Sequence, residues 1–187
     1  MKKLHILLVV GLLAFMGVAY GGDLPKGWYK FAKSSGSEIE AGTDEKVFHS
    51  KPDSFYLKCS SGIGGNVNQE ISSSEYAGKR IRLSAYLKSD NLVNDNGFGG
   101  QVWAYSYSGK ELYMKSAAGN IKGTTDWKEY SVVFDVPVDN PSVTYGLSVT
   151  GQGTVWIDSI TWEVVDKATI PLKNANLAPN EKPRNLP

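Results

Sequence analysis

Residues 79–88 read Lys-Arg-Ile-Arg-Leu-Ser-Ala-Tyr-Leu-Lys, and apolar residues fill every second position from Ile81 to Leu87. The positions between them carry charged, hydroxyl-bearing or aromatic side chains. Successive side chains of a β-strand point to opposite faces, so a period of two sorts them onto two sides. The stretch therefore predicts a strand with one buried face and one solvent-exposed face.

The same period recurs along most of the chain after residue 22. It is clear in residues 130–136, 143–150 and 155–162, and shorter segments repeat it. Turn-forming groups such as Ser108-Gly109 and Gly151-Gln152-Gly153 separate the segments. About ten short strands at this spacing predict an all-β fold, a two-sheet antiparallel β-sandwich of the jelly-roll kind. This interpretation gives one domain over residues 22–166.

The two ends of the chain differ from this domain. Lys2 and Lys3 precede an apolar run over residues 4–18, and small residues follow it, which is typical of a signal peptide over residues 1–21. A permanent membrane anchor is the alternative, although a spanning helix needs about 20 apolar residues. Residues 167–187 are rich in Pro and Asn and predict a disordered tail or linker. The leader indicates export, to the periplasm or the medium, with no stable membrane insertion after its removal.

Charge and residue types argue against nucleic-acid binding and against catalysis. The chain has 20 Lys and Arg against 19 Asp and Glu, so it lacks the basic field that attracts phosphates. His49 is the one histidine after the leader, and no nucleophile-elbow pattern supplies a serine for a Ser–His–acid triad. One His and one Cys are too few for a catalytic zinc site, and no spacing singles out a catalytic carboxylate pair. Cys59 alternates with Phe55 and Leu57, which predicts a buried thiol.

A candidate binding surface comes from residues 101–107, Gln-Val-Trp-Ala-Tyr-Ser-Tyr. In a strand the large side chains share one face; they are Gln101, Trp103, Tyr105 and Tyr107. If residues 79–88 lie in the same sheet, Arg82 and Tyr86 join this face. Aromatic rings cover the C–H faces of sugars, while Gln and Arg pair with hydroxyl groups. The alternative is that the large side chains face inward and build the core.

Several segments together resemble a known family. They are Gly27-Trp28-Tyr29 and residues 46–52, 76–88, 123–130 and 153–158. Their order is similar to jelly-roll domains of the galactose-binding-like and carbohydrate-binding-module type. It is especially similar to stand-alone or regulator-fused bacterial versions without a settled function. The resemblance covers residues 27–165 and implies an antiparallel jelly roll in which residues 101–107 face outward on the concave sheet.

The resemblance also bears on metal binding. Such domains often open with an Asn-x-x-Phe-Glu strand that helps to hold a structural calcium ion, and that Glu has no counterpart here. Glu40, Asp44 and Asp158 remain candidate ligands, because the resemblance implies that the first and last strands are neighbours and calcium prefers carboxylate oxygens. The alternative is a plain turn capped by an Asp. No other cofactor is predicted.

These observations predict a secreted, non-catalytic carbohydrate-binding module. Trp103 and Tyr105 would stack on a glycan on the concave sheet, while Gln101, Arg82 and Tyr86 would position it. The alternative is a protein-interaction or envelope scaffold module without glycan binding, whose partner would be an envelope protein.

Overall fold

The structure is a computed structural model that describes residues 23–94, 97–139, 141–172 and 175–177. Within these residues the chain forms eleven β-strands and one single-turn 3-10 helix, Ser74–Tyr76. In chain order the strands β1 to β11 are Trp28–Ala32, Ile39–Asp44, Ser54–Cys59, Gly65–Ser72, Arg80–Val93, Gly100–Ser108, Glu111–Ile121, Gly123–Asp135, Pro141–Val149, Gln152–Val165 and Ala175–Leu177.

The strands form two antiparallel sheets. Sheet 1 has the order β1-β4-β9-β6-β7-β11, and sheet 2 has the order β2-β3-β10-β5-β8. Every pairing between neighbouring strands is antiparallel. The predicted all-β, two-sheet antiparallel sandwich is confirmed.

The hydrophobic core lies between the two sheets. In β5 the apolar set from Ile81 to Leu87 is fully buried, and Phe134 of β8 is buried beside it. Sheet 1 contributes Val102 and Leu147 to the same core. Burying a side chain of this size stabilises the fold by about 1.5–3 kcal/mol. The facing apolar rows therefore hold the sheets together and leave the alternate side chains on the outer faces.

Cys59 belongs to this core. It lies on β3 between Ile39 of β2 and Gly153 of β10, and it is 1% exposed. Its thiol is free, with Sγ 3.7 Å from the Ser61 hydroxyl oxygen. The predicted buried thiol is confirmed.

The two strands expected to share one binding surface belong to different sheets. β5 pairs with β8 and β10 in sheet 2, whereas β6 pairs with β7 and β9 in sheet 1. Arg82 and Tyr86 of β5 therefore lie across the sandwich from the outward side chains of β6. The prediction that they join one surface with Trp103 is wrong, because alternation sorts the faces of a strand but does not identify its neighbours.

The segment after β10 continues to pack on the sandwich. The Arg80 guanidinium donates to the carbonyl oxygen of Ile170 at 2.8 Å and to that of Lys167 at 3.4 Å. Its Nε and Nη2 donate to the two carboxylate oxygens of Asp135 at 2.8 and 3.0 Å. β11 then pairs with β7 at the edge of sheet 1. Residues 167–172 and 175–177 thus belong to the folded domain, in contrast to the tail predicted from residue 167, because Arg80 binds carbonyl groups that a free tail would leave to water.

The predicted signal peptide, residues 1–21, lies outside the described residues, as do residues 178–187 of the predicted tail. In the part of the chain that the structure describes, no helix is long and apolar enough to cross a membrane. The leader stays a prediction.

Candidate functional site

The side of sheet 1 that faces away from the core brings aromatic and polar residues into cross-strand rows. The first row, defined by direct pairing of β6, β9, β4 and β1, is Trp103, Gly146, Asn68 and Tyr29. The second row, two residues along each strand, is Gln101, Ser148, Asn66 and Phe31. These two rows, together with Tyr105 and Tyr107 of β6, form what we call the outer face.

The large side chains of β6 point outward, as the resemblance implied. Val102 and Ala104 belong to the core, so Trp103 between them is on the other side of sheet 1. Trp103 is nevertheless only 7% exposed, and the Tyr105 ring lies 4.7 Å from it, centroid to centroid. The expectation of an open Trp103 ring is wrong: its neighbours across the strands, Gly146 and Ala117, are small, so the indole can settle among them. The half-buried rings of Tyr105 and Tyr107 are the more accessible ones on β6.

Gly146, in the middle of the first row, lets β4 and β9 approach each other closely. A Cβ atom at Gly146 would lie 2.0 Å from the Val67 carbonyl oxygen and 2.8 Å from Asn68 Cα, both backbone atoms of β4. Backbone atoms inside a sheet cannot move aside as a flexible side chain can, so β4 and β9 approach this closely only at a glycine. The first row consequently has no side chain between Trp103 and Asn68.

Two carboxamide groups on the outer face have unsatisfied oxygen atoms. Asn66 Oδ1 and Asn68 Oδ1 are buried, and neither accepts a hydrogen bond from any residue that the structure describes. Buried polar atoms are nearly always paired with protein or with ordered water. Asn66 and Asn68 are only half-buried as whole residues, so a turn of either carboxamide would bring its unpaired oxygen to a ligand hydroxyl or a water molecule.

The end of β6 adds hydroxyl and charged groups to the outer face. Thr144 of β9 pairs with Tyr105 on one side, and Lys115 of β7 pairs with it on the other. Burial raises the pKa of the Tyr107 phenol, and the neighbouring Tyr105 and Glu70 raise it further. The phenol is protonated at neutral pH, so its hydroxyl can both donate and accept a hydrogen bond. Gln101 has a partner of its own, since its Nε2 donates to Asn120 Oδ1.

Arg82 and Tyr86 have their own partners in sheet 2. Arg82 Nη1 donates to Glu163 Oε2 at 3.0 Å. The Tyr86 ring stacks on the His49 imidazole, with centroids 3.7 Å apart and planes inclined by 14°. The structure thus brings together four of the six predicted ligand residues, and these two are not among them.

The groups around His49 do not form a catalytic triad. Its Nδ1 lies 3.2 Å from the Ser50 hydroxyl oxygen and 3.3 Å from that of Ser159. Asp158 accepts from the backbone N–H of His49 at 2.7 Å rather than from the ring. A triad requires the acid and the nucleophile at opposite ring nitrogens. Here both hydroxyl groups lie near the same nitrogen, Nδ1, so these residues lack the geometry of a triad.

Asp44, one of the candidate calcium ligands, is instead surrounded by N–H donors. It is 4% exposed, and its Oδ2 accepts from the indole N–H of Trp156 at 2.9 Å. Its Oδ1 accepts from the backbone N–H groups of Lys46 and Val47 at 2.9 and 3.0 Å. Asp44 is therefore a turn cap, which is the alternative that the sequence left open.

The other two candidate calcium ligands are engaged elsewhere. Glu40 accepts from the Tyr56 hydroxyl at 2.9 Å, and Asp158 accepts from the backbone N–H of Ser50 at 2.8 Å. Among the described residues, no group of three or more His, Cys, Asp or Glu side chains is placed to hold a metal ion. The structure therefore does not bring Glu40, Asp44 and Asp158 together as one set of ligands, and calcium binding stays a prediction.

Tyr29 and Phe31 belong to the outer face, and sequence reasoning missed them. They are 59% and 50% exposed on β1, an edge strand. Trp28 beside them turns inward, with its ring centroid 4.9 Å from Phe55 and 5.5 Å from Tyr145. Three aromatic residues within residues 28–31 cannot all share one face of a strand, and this signal could have identified the outward pair.

The architecture defined above is the jelly-roll β-sandwich of solved carbohydrate-binding modules. One of these is the CBM22-1 xylan-binding domain from Paenibacillus barcinonensis Xyn10C, with a TM-score of 0.50, 8% identity and coverage of 77% of this chain and 89% of that domain. Solved structures of enzymes are also among the matches. The Stig cyclase Fisc from Fischerella sp. TAU has a TM-score of 0.53, 14% identity and coverage of 78% of this chain and 88% of the cyclase.

The second enzyme is the enzymatically active domain of bacteriophage CBA120 tailspike protein 4. It has a TM-score of 0.51 and 16% identity, and the match covers 75% of this chain but only 20% of that one. At such low identities the likeness shows the fold alone, and this fold serves both binding and catalysis.

In sequence, no family model matches the chain. It is similar to the uncharacterised HTH-type transcriptional regulator YbfP of Bacillus subtilis (strain 168), with 29% identity over 158 residues. The match covers 81% of this chain and 52% of the regulator, so the chain spans about half the length of the curated relative it matches. This similarity agrees with the resemblance to regulator-fused bacterial domains.

Proposed function

We propose that this protein is a secreted, non-catalytic module that binds a carbohydrate on the outer face of sheet 1. The observation that carries the proposal is the pair of orphaned acceptors, Asn66 Oδ1 and Asn68 Oδ1, on the same face as the aromatic rings of β6. A sugar offers what this face lacks, because its hydroxyl groups donate to carboxamide oxygens while its C–H face covers an aromatic ring. The xylan-binding neighbour of the same fold supports the proposal by analogy.

The sharpest test is Asn68→Ala, because its effects on stability and on binding should have opposite signs. Removing a buried acceptor that has no partner should leave the free energy of unfolding unchanged or slightly higher. Removing an acceptor that a glycan hydroxyl uses should lower affinity about tenfold, since such a bond contributes about 1 kcal/mol or somewhat more. Unfolding by urea and isothermal titration calorimetry measure the two quantities.

The binding experiment titrates the mature domain with xylo-, cello- and β-1,4-galacto-oligosaccharides. Tyr105→Ala should weaken binding, because it removes an accessible ring of the outer face. Trp127→Ala is the matched control: Trp127 lies on β8 in sheet 2, where its ring is 6.0 Å from that of His49. Equal losses in both variants, or no binding by the wild type, would reject the proposal.

Export is the second part of the proposal and rests on the leader predicted over residues 1–21. Cell fractionation together with the intact mass of the recovered protein tests it. We expect the protein outside the cytoplasm, with a mass that lacks the leader. A full-length mass in the cytoplasmic fraction would contradict export without affecting the binding proposal.

A protein partner on the same face is the second candidate function. The exposed rings of Tyr29 and Phe31 favour it, because they lie on β1, whose outer edge pairs with no other strand among the described residues. Concentration-dependent self-association, abolished by Tyr29→Ala, together with silence toward every oligosaccharide would support this candidate over the first.

A further inference from the structure

The outer face has aromatic rings at both ends and a polar floor between them. Tyr105 and Tyr107 are on β6, whereas Tyr29 and Phe31 are on β1. Between them lie β9 and β4, whose outward residues in the two rows are Gly146, Ser148, Asn66 and Asn68. None of these four residues is aromatic, so the aromatic rings of the face form two separate groups.

The distance between the two aromatic groups follows from the sheet order. β1 and β6 are three strand spacings apart, which is about 14 Å at the usual spacing of about 4.8 Å. That span is longer than one pyranose ring. A single sugar can therefore contact one group of rings, and only a chain of sugars lying across the strands can contact both.

Tyr29 and Phe31 are free to serve a ligand because the fold does not use their rings. The apolar residues that form the core or pack against it include Trp28 but neither of these two. Large exposed aromatic side chains side by side on an edge strand are unusual in a soluble domain and mark interaction sites. Their direct partners in register are the orphaned carboxamides, since Tyr29 pairs with Asn68 and Phe31 pairs with Asn66.

We propose that the ligand is a linear oligosaccharide that lies across the strands, and that Tyr29 and Phe31 form its second stacking platform. This inference rests on the proposed glycan-binding function and adds the direction, the minimum length and the far end of the site. The sugar at one end stacks on Tyr105, the middle of the chain donates hydroxyl hydrogen bonds to Asn66 and Asn68, and the far end stacks on β1.

Calorimetry with oligosaccharides of increasing length tests this inference. The ligands are the monosaccharide, disaccharide and longer members of the xylo-, cello- and β-1,4-galacto- series up to the hexasaccharide. For the wild type we expect affinity to rise with length until both platforms are covered. The double variant Tyr29→Ala/Phe31→Ala should bind the hexasaccharide about tenfold more weakly, because aromatic residues are enriched among those whose truncation weakens binding by that factor or more. It should bind the disaccharide as the wild type does.

Two other variants separate this inference from the proposed function. Tyr105→Ala should weaken binding at every length, and Trp127→Ala in sheet 2 should weaken it at none. If the double β1 variant binds the hexasaccharide normally while Tyr105→Ala does not, the second platform is wrong and glycan binding stands. The second platform is equally wrong if the wild type binds the disaccharide and the hexasaccharide with the same affinity. If no oligosaccharide binds the wild type, both proposals are wrong. Urea unfolding of the double variant should match the wild type, which excludes misfolding as the cause of a loss.

Discussion

Replacing Asp44 by Asn tests the role of this carboxylate as a hydrogen-bond acceptor in the fold. The two oxygens of Asp44 accept hydrogen bonds from different donors. Oδ1 accepts from the backbone N–H groups of Lys46 and Val47, and Oδ2 accepts from the indole N–H of Trp156. Asn keeps one oxygen, which can still cap the turn, but its NH2 group then faces the indole N–H, donor against donor. A buried donor left without an acceptor costs about 1–3 kcal/mol. With the loss of the charge on the acceptor, we expect the free energy of unfolding to fall by about 2–3 kcal/mol.

Urea unfolding of wild type, Asp44→Asn, Trp156→Phe and the double variant, all in a chelating buffer, measures this cost. Phe lacks the indole donor, so the double variant should lose less stability than the sum of the two single variants, with a coupling of about 1–2 kcal/mol. Costs that add without coupling would refute the hydrogen-bond explanation. A second set of unfolding curves uses added calcium and no chelator. If calcium raises the unfolding midpoint of the wild type and Asp44→Asn abolishes that rise, Asp44 is a metal ligand.

Three further predictions concern other parts of the fold. Gly146→Ala should lower the free energy of unfolding by about 3 kcal/mol, measured in urea, because its Cβ would meet the Val67 carbonyl oxygen; an unchanged midpoint would refute this. Arg80→Lys should speed amide hydrogen exchange in residues 167–172, because Lys keeps the charge facing Asp135 but lacks the planar fork that also reaches the Ile170 carbonyl; equal exchange would contradict that role. Tyr107→Phe should remove one late-titrating phenol from the alkaline absorbance titration. Because the folded pKa of Tyr107 is raised above its ordinary value of about 10, its contribution to stability is full below that value and is lost as pH rises through the folded pKa. If the phenol missing from the variant's curve is instead one that titrates at about pH 10, the pKa of Tyr107 is not raised.

The faces of the strands could be predicted from the sequence because alternation is a local property. The apolar side of β5 follows from a period of two, whereas for β6 the period sorts the side chains and the family resemblance implied which set faces outward; the structure shows both orientations. The neighbours of each strand could not be predicted, because hydrogen bonds between strands follow from the packing of the whole chain. The prediction for Arg82 and Tyr86 therefore names the wrong surface, although their outward orientation is correct.

The candidate site was predictable in part for the same reason. Residues 101–107 stand out by three aromatic rings on one face, whereas Asn66 and Asn68 become notable only once their burial and lack of partners are known. The exposure of the Trp103 ring could not be predicted from the sequence either. Trp103 faces outward as predicted, yet its ring is only 7% exposed, and the small residues opposite it on the flanking strands are known only once the register is known.

The reactivity of Cys59 can serve as a measure of local opening of the fold. The chain has a single thiol, and it is shielded at the end of β3 with a strand on either side. A thiol reagent can reach it only when the core around the end of β3 opens, so the rate of modification reports how often that part of the sandwich opens. Because the chain has one thiol, each molecule is modified once, and no cysteine has to be introduced by substitution.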